Sequence, residues 1–395
     1  MTQEEAVALF HQVHRLARQG MSKTMIARTL SVSRPTVIQW LTVTTYQERR
    51  GWRPGRVRKH TDPAVPERIC QLKRRRVDDC YLVGSPYVQM DYAKGYPSET
   101  VPSLWYIDQV VRAAGLQTRK PRHKRRGGSV YLLYPVVSMK RLGLIQESAD
   151  FIGRKYLDGC SRPVTIFSSC YYRPFKMYQI YRTEAEKATF AIDLLARQWQ
   201  EYPRPHVVRM DNGAPFRGTA TFERCLGSFL IFLLNLGITP LFGSPSRPWT
   251  NGSVEGYNRV FSEKVWQKNR FRSLEEVDRE NERFNAEGRE FFQFRYQTLA
   301  TRFAARCLKA TTKVRTDMLH TRRNKRISFV RFVEPAADEP RAHIMIMNER
   351  VFLPEAYLHQ FVFATWDLEA EQLSIVSEYQ GSCTPILHCR FKIRD

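Results

Sequence analysis

Between residues 142 and 270 the hydrophobic period switches repeatedly, in the order strand, strand, strand, helix, strand, helix, strand, helix. Neither element can bury its apolar side alone, so this alternation calls for a sheet with helices packed against it. Residues 142–151 are apolar-rich and run to Asp150. Asp158-Gly159 is a hairpin signal leading into strands at 164–170 and 175–181. Residues 183–200 follow with helical spacing, placing Ala188, Ile192, Leu195 and Trp199 on one side. Pro205-His-Val-Val-Arg-Met-Asp211 reads as a buried strand whose end presents Asp211 to a turn at Asn212-Gly213. Residues 222–236 form a helix apolar over much of its surface, and 238–242 a short strand. Pro245 and Pro248 then break the chain before a final helix with Thr250 and Asn251 as candidate caps and Glu255 in its first turns.

Charge runs and Pro/Gly clusters divide the rest. Residues 1–45 carry a helix-turn-helix layout: Ser22 caps one helix with Ile26, Ala27 and Leu30 inward, Ser31-Val32 turns, and Ser33 caps a second with Pro35 in its first turn. Val37, Trp40 and Leu41 make the apolar face of that second helix. Arg34, Thr36 and Gln39 are left outward, placed for base edges in a major groove. Residues 46–60 are a basic linker containing Arg53, Arg56 and Arg58, and 119–128 another containing Arg122, Lys124, Arg125 and Arg126. Both suit contact with a DNA backbone or minor groove. Between them 61–118 reads as a second helical DNA-binding module, with a helix over 65–73 and another capped by Ser103 and ended by Gly115. The α/β core occupies 129–300, and 301–326 is a third basic linker. In 327–395, short strands at 327–333, 343–347, 351–353, 361–366 and 373–376 suit a small all-β, SH3-like barrel. The expected fold class is therefore multidomain: helical N-terminal modules, an α/β core and a small barrel.

Composition narrows the partner. Sixty-three Lys+Arg against 39 Asp+Glu leave a net charge of +24 over 395 residues, which favours a polyanion, double-stranded DNA above all. The longest apolar run, at 229–234, is far short of the ~20 residues a membrane span needs. The N-terminus lacks the basic-then-apolar pattern of a secretory signal. Eight scattered cysteines without a C-x-x-C pair suit a reduced, intracellular protein with structural cysteines. With no membrane expected from the short apolar runs and DNA favoured by the charge, the expected location is cytoplasmic, nucleoid-associated.

Strand ends and helix starts are where a rigid scaffold exposes reacting groups, so Asp150, Asp211 and Glu255 are candidates to converge on one edge of the sheet. Carboxylates held that close repel and partly protonate. Two Mg²⁺ (or Mn²⁺) ions would remove the penalty, one activating an attacking oxygen and the other stabilising the leaving oxygen of a phosphodiester displacement. By spacing alone, three unrelated surface acids remain equally open. Glu147 is a rival for the first acid, but strand alternation puts it on the face opposite Asp150. Asp158 is explained by its turn and Asp193 by the exposed side of its helix. Asn258 and Arg259, three and four residues after Glu255, share its helix face and could hold DNA there. Asn251 is a cap or a DNA contact, Asn212 serves the turn, and His206 is a packed strand residue. His11 and His14 with Cys70 and Cys80 have no zinc-site spacing.

Val208-Arg-Met-Asp-Asn-Gly-Ala-Pro-Phe216, followed by Pro245-Ser-Arg-Pro-Trp-Thr-Asn-Gly-Ser-Val-Glu-Gly-Tyr-Asn258, resembles the second and third acid motifs of insertion-sequence transposases and retroviral-type integrases, the DDE group with an RNase H-like core. Ala149-Asp-Phe-Ile-Gly-Arg-Lys-Tyr-Leu157 is similar to the first. The resemblance implies Asp150, Asp211 and Glu255 as catalytic residues and metal ligands. It implies a transposase that binds the terminal repeats of an element, frees a 3′-OH and joins it to target DNA. A homo-oligomer, dimer or tetramer, would work on DNA, and an ATPase helper fits the same scheme. In relatives the C-terminal barrel holds DNA or joins subunits. Two features depart from the pattern: the Asp211–Glu255 interval is long, with the excess around 217–228, and Ser168 lies in a second strand where many relatives carry Asp. The alternative is a catalytically silent, transposase-derived DNA-binding regulator.

Overall fold

The computed structural model describes residues 3–44, 46, 62–117, 134–218, 222–336, 339, 341–379 and 381–394. Arg53, Arg56, Arg58, Arg122, Lys124, Arg125 and Arg126, with most of the two linkers that hold them, lie outside the described residues. The chain divides into two compact units, Met1–Asp62 and Pro63–Asp395.

The first unit is three helices: α1 (Gln3–Arg18), α2 (Lys23–Thr29) and α3 (Arg34–Trp40). The short helices start where a serine hydroxyl takes an otherwise unpaired backbone N–H: Ser22 Oγ accepts from Met25 N at 3.3 Å, and Ser33 Oγ from Thr36 N at 3.2 Å. Phe10, Val13, Ile26, Val37 and Trp40 make the core. Arg34 and Gln39 are exposed. Thr36 is half-buried, its hydroxyl 2.7 Å from Ser33 Oγ.

The second unit begins with α4 (Ala64–Asp79), α5 (Ser85–Gly95) and α6 (Leu104–Ala113), packed around Val65, Ile69, Val88, Tyr92, Ile107 and Val111. Ser103 caps α6, accepting from Tyr106 N at 3.2 Å, and Gly115 follows it at φ 67°. The middle helix gave no periodic signal because Val88, Met90 and Tyr92 are all buried, so it is covered on more than one side and lacks a single apolar stripe. Half of the basic run at 73–76 is inward. Lys73 Nζ donates to Val83 O at 2.6 Å, and Arg76 pairs with Asp91 and donates to Leu82 O at 2.9 Å.

The remaining elements are α7 (Val136–Arg141), β1 (Gln146–Tyr156), β2 (Pro163–Arg173), β3 (Met177–Thr183), α8 (Ala188–Glu201), β4 (Val207–Met210), α9 (Ala214–Arg217), α10 (Ser228–Asn235), β5 (Thr239–Phe242), α11 (Gly252–Phe261), α12 (Leu274–Thr301), β6 (Arg326–Phe332), β7 (Glu334–Pro335), β8 (Ala342–Ile346), β9 (Glu349–Phe352), β10 (Phe361–Asp367), β11 (Gln372–Tyr379) and β12 (Ser382–Arg390). Nine strands form one mixed sheet in the order β12-β11-β10-β6-β5-β4-β1-β2-β3. Strands β1, β4, β5 and β6 run parallel, and both flanks are antiparallel. Ala149 and Phe167 face the α8–α10 side, where Trp199 and Phe232 stack. Ile152, Ile166 and Ile180 face the side of α11 and Phe284 of α12. Among the described residues no helix is long and apolar enough to cross a membrane.

The C-terminal strands take a form other than the separate barrel expected for 327–395. Five consecutive residues of β6, 327–331, are buried, which marks an internal strand rather than the wall of a small barrel. It pairs with β10 on one side and, through Leu241↔Ser328 and Phe242↔Phe329, with β5 on the other, so the tail extends the core sheet. Strands β7–β9 make a separate three-stranded sheet. The stretch 301–326, expected as a linker, is tied down: Leu308 N donates to Trp199 O at 2.7 Å, Arg306 to Arg204 O and Pro205 O, each at 2.8 Å, and Asn235 to Met318 O at 2.9 Å.

Gly218 and Gly227 meet backbone to backbone. A Cβ on Gly227 would lie 2.6 Å from Gly218 Cα, and Gly218 itself sits at φ +96°. Backbone meets backbone here, so nothing can yield. Gly227→Ala is expected to cost about 2–3 kcal/mol, read as a lower urea midpoint with an unchanged denaturant slope.

Candidate active site

The four residues of β4 are all buried, and Asp211 is the first residue to leave the sheet. Its Oδ1 accepts from Gly213 N at 2.9 Å, closing a tight turn. A Cβ at Gly213 would come within 3.0 Å of that oxygen, so glycine suits the position. The β1–β4 register pairs Ser148 with Arg209. Carried on by two residues, it sets Asp150 level with Asp211 on neighbouring strands ~4.8 Å apart. Asp150 Oδ2 accepts from Asn258 Nδ2 at 2.8 Å, and Asn258 Oδ1 accepts from Tyr178 OH at 2.8 Å.

Glu255 stands in the first turn of α11, half-buried. The loop before it is held by Thr250, whose hydroxyl accepts from Ser244 N at 3.2 Å and donates to Arg247 O at 2.8 Å. Thr250 is thus a loop anchor, not a helix cap. Asn251 occupies the N-cap position without a side-chain cap bond, and its buried Oδ1 has no hydrogen-bond partner.

Asp150, Asp211 and Glu255 line one cleft of about 410 Å³, with Asn212, Gly243 and Asn251 among its other walls. Burial, then the negative charges of Asp211 and Glu255, push the Asp150 carboxyl up to about 7. Burial also raises Asp211, offset in part by the Gly213 N–H, and it raises Glu255. Burial thus disfavours all three carboxylates as bare anions, although Arg247 also lines the cleft. Its donors are hard carboxylate oxygens, the chemistry that suits Mg²⁺ or Mn²⁺ rather than softer metals. Among the described residues no three His, Cys, Asp or Glu side chains are gathered around one point as they stand.

Glu147 points to the other face of β1, fully buried, accepting from Gln198 Nε2 at 2.6 Å and Trp199 Nε1 at 2.8 Å. His206 Nδ1 accepts from Ile145 N at 3.2 Å. Ser168 is buried opposite Asp150 in the β1–β2 ladder and donates to Asp150 O at 3.3 Å. Asn258, expected toward DNA, has both ends of its amide engaged within the site. Arg259 is exposed, 4.0 Å from Glu263. Arg34, Thr36 and Gln39 belong to the other unit.

Two contributors were not foreseen. Asn212 does more than serve its turn: its Nδ2 donates to Gly243 O at 2.8 Å, and its Oδ1 accepts from Arg331 Nη2 at 2.8 Å. Arg331 is the sole arginine inside an otherwise buried stretch of β6, a misfit in an apolar strand that was a signal available in the sequence.

The fold and site define a mixed α/β chain with an acidic cleft at its parallel strand ends. No protein-family model matches the sequence, and no curated protein matches it. Among solved structures, one chain of the cryo-electron-microscopy structure of a simian T-cell lymphotropic virus intasome in complex with the PP2A regulatory subunit B56 gamma is similar, at 12% identity and a TM-score of 0.30, over 81% of this chain and 98% of that one. At that TM-score the likeness does not bear on function.

Proposed function

We propose that this chain is a metal-dependent DNA transposase or integrase. It binds the ends of a mobile element, hydrolyses a phosphodiester to free a 3′-OH, and joins that hydroxyl to target DNA. The observation that carries the reading is that Asp150, Asp211 and Glu255, far apart in the chain, line one cleft, where the charges of Asp211 and Glu255 add to burial in raising the Asp150 carboxyl. These three would hold two Mg²⁺ or Mn²⁺ ions. Bound there, the ions would supply Lewis acidity to both oxygens of an in-line displacement. The chain's own residues prepare that geometry: Asn258 and Tyr178 fix the Asp150 carboxylate, Gly213 fixes Asp211, and Thr250 fixes the loop that delivers Glu255. In this reading the exposed Arg34 and Gln39 of α3 meet element-end DNA, with the basic charge of the chain supplying non-specific affinity. Bringing two ends together requires at least a dimer.

The test incubates the full chain with duplexes covering the DNA that flanks its gene, a supercoiled target plasmid, and Mg²⁺ or Mn²⁺, with chelated samples as controls. Joined products are expected with the cation and none after chelation. Binding without cleavage under any divalent ion would sink the proposal in favour of a silent regulator, and cutting without joining would make the protein a nuclease.

A further inference from the structure

We infer that Arg331 is a positioning residue of the acidic cleft, locking together the two loops that carry Asp211 and lead to Glu255, so that the C-terminal segment completes the site. The inference rests on the proposed reading of the cleft as a cation site.

Arg331 lies in β6 with 3% of its surface exposed, and among the described residues no carboxylate pairs with it. A buried cation without an acid is costly, so its place needs another account. Every hydrogen bond it makes goes to a neutral oxygen. Nε donates to Met345 O at 2.7 Å, Nη1 to Gly243 O at 2.6 Å and to Val330 O at 3.0 Å, and Nη2 to Asn212 Oδ1 at 2.8 Å. Two of those acceptors line the cleft. Asn212 directly follows Asp211, and Gly243 directly follows β5. Asn212 Nδ2 also donates to Gly243 O, so Arg331, Asn212 and Gly243 form a closed triangle across the two strand ends. The guanidinium's five donors in a fixed planar fork span acceptors on three segments at once, a geometry a compact ammonium group does not impose. The same tail grips the same loop a second time, where Arg247 lies over the Phe332 ring at 3.7 Å and reaches Glu334 at 3.1 Å.

The test compares wild type, Arg331→Met, Asn212→Ala and the double variant as full chains. Mn²⁺ affinity is read from the electron paramagnetic resonance signal of the free ion, alongside the melting temperature. Each single change is expected to weaken Mn²⁺ binding by about tenfold, the low end of what changes outside the ligand shell cost, because the loops that carry Asp211 and lead to Glu255 lose their tie. Because both remove the same link, the double variant is expected to be no weaker than the worse single. A purely structural arginine would lower the melting temperature and leave Mn²⁺ affinity alone. Asn212→Ala sits at the cleft surface and keeps the test decisive if Arg331→Met fails to fold. Wild-type affinity in Asn212→Ala, or losses that multiply in the double variant, overturns the inference alone. A wild-type chain that binds no Mn²⁺ overturns the cleft reading and the inference with it.

Discussion

Asp211→Asn is expected to lower metal-dependent strand joining by about 10³-fold, the rate equivalent of several kcal/mol of lost charge stabilisation. The substitution keeps the shape of the side chain. An amide oxygen can still accept from Gly213 N, so the turn after β4 survives, and the neighbouring Asn212–Gly243 bond is untouched. What disappears is the negative charge at the end of β4. DNA affinity, which depends on basic residues elsewhere in a chain of net charge +24, should change little. Asp193→Asn is the matched control: it removes an equal charge from the exposed side of α8 and should leave joining at the wild-type rate. Joining that survives Asp211→Asn would remove the cleft from the mechanism.

The local parts of the architecture were legible because they depend on neighbours in sequence. Ser22, Ser33 and Ser103 reach backbone N–H groups three residues ahead, and such spacing can be read directly from the chain. Glu147 and Asp150 lie an odd number of positions apart on one strand, so period-two alternation sends them to opposite faces, as the Trp199 and Asn258 contacts show. What stayed hidden depends on distant residues. Asn258 is legible as lying on the Glu255 face of its helix, but its bonds to Asp150 and Tyr178 are not, because those partners come from two strands about 80 or more positions earlier. The tail read as a barrel because five short strands fit one, and nothing local says that β6 will find β5. Arg331 is legible as a misfit in an apolar strand, but what it ties together is not, because Gly243 and Asn212 lie 88 and 119 positions away in the chain.

Glu147→Gln should have its largest effect on stability, with a definite pH signature. The Glu147 side chain is wholly buried, and burial raises its carboxyl from 4.5 to about 7 even though hydrogen bonds from Trp199 and Gln198 pull the other way. The folded state therefore holds this proton more tightly than the unfolded chain does. Below pH 4.5 the group is protonated in both states and has no effect. As pH rises toward 7 the unfolded chain releases the proton first, and the fold loses stability until the folded group also ionises. A difference of 7 − 4.5 at 1.36 kcal/mol per pH unit makes the loss about 3 kcal/mol, complete above pH 7. Glutamine carries no proton to release. Gln198 can turn its amide to offer an oxygen to the new side chain and an N–H to the Ser169 hydroxyl, so the buried bonds can be remade. Urea unfolding of both proteins at pH 5 and pH 8 isolates the effect, since every other titrating group is common to the two. The variant should gain on wild type by roughly 2–3 kcal/mol between those pH values, and parallel pH profiles would overturn the assignment. Strand joining should be unaffected, because Glu147 faces α8 while Asp150, Asp211 and Glu255 line the cleft. The outcome would separate a buried acid that acts on stability from Asp150, three residues along the same strand, which the proposed reading assigns to the chemistry.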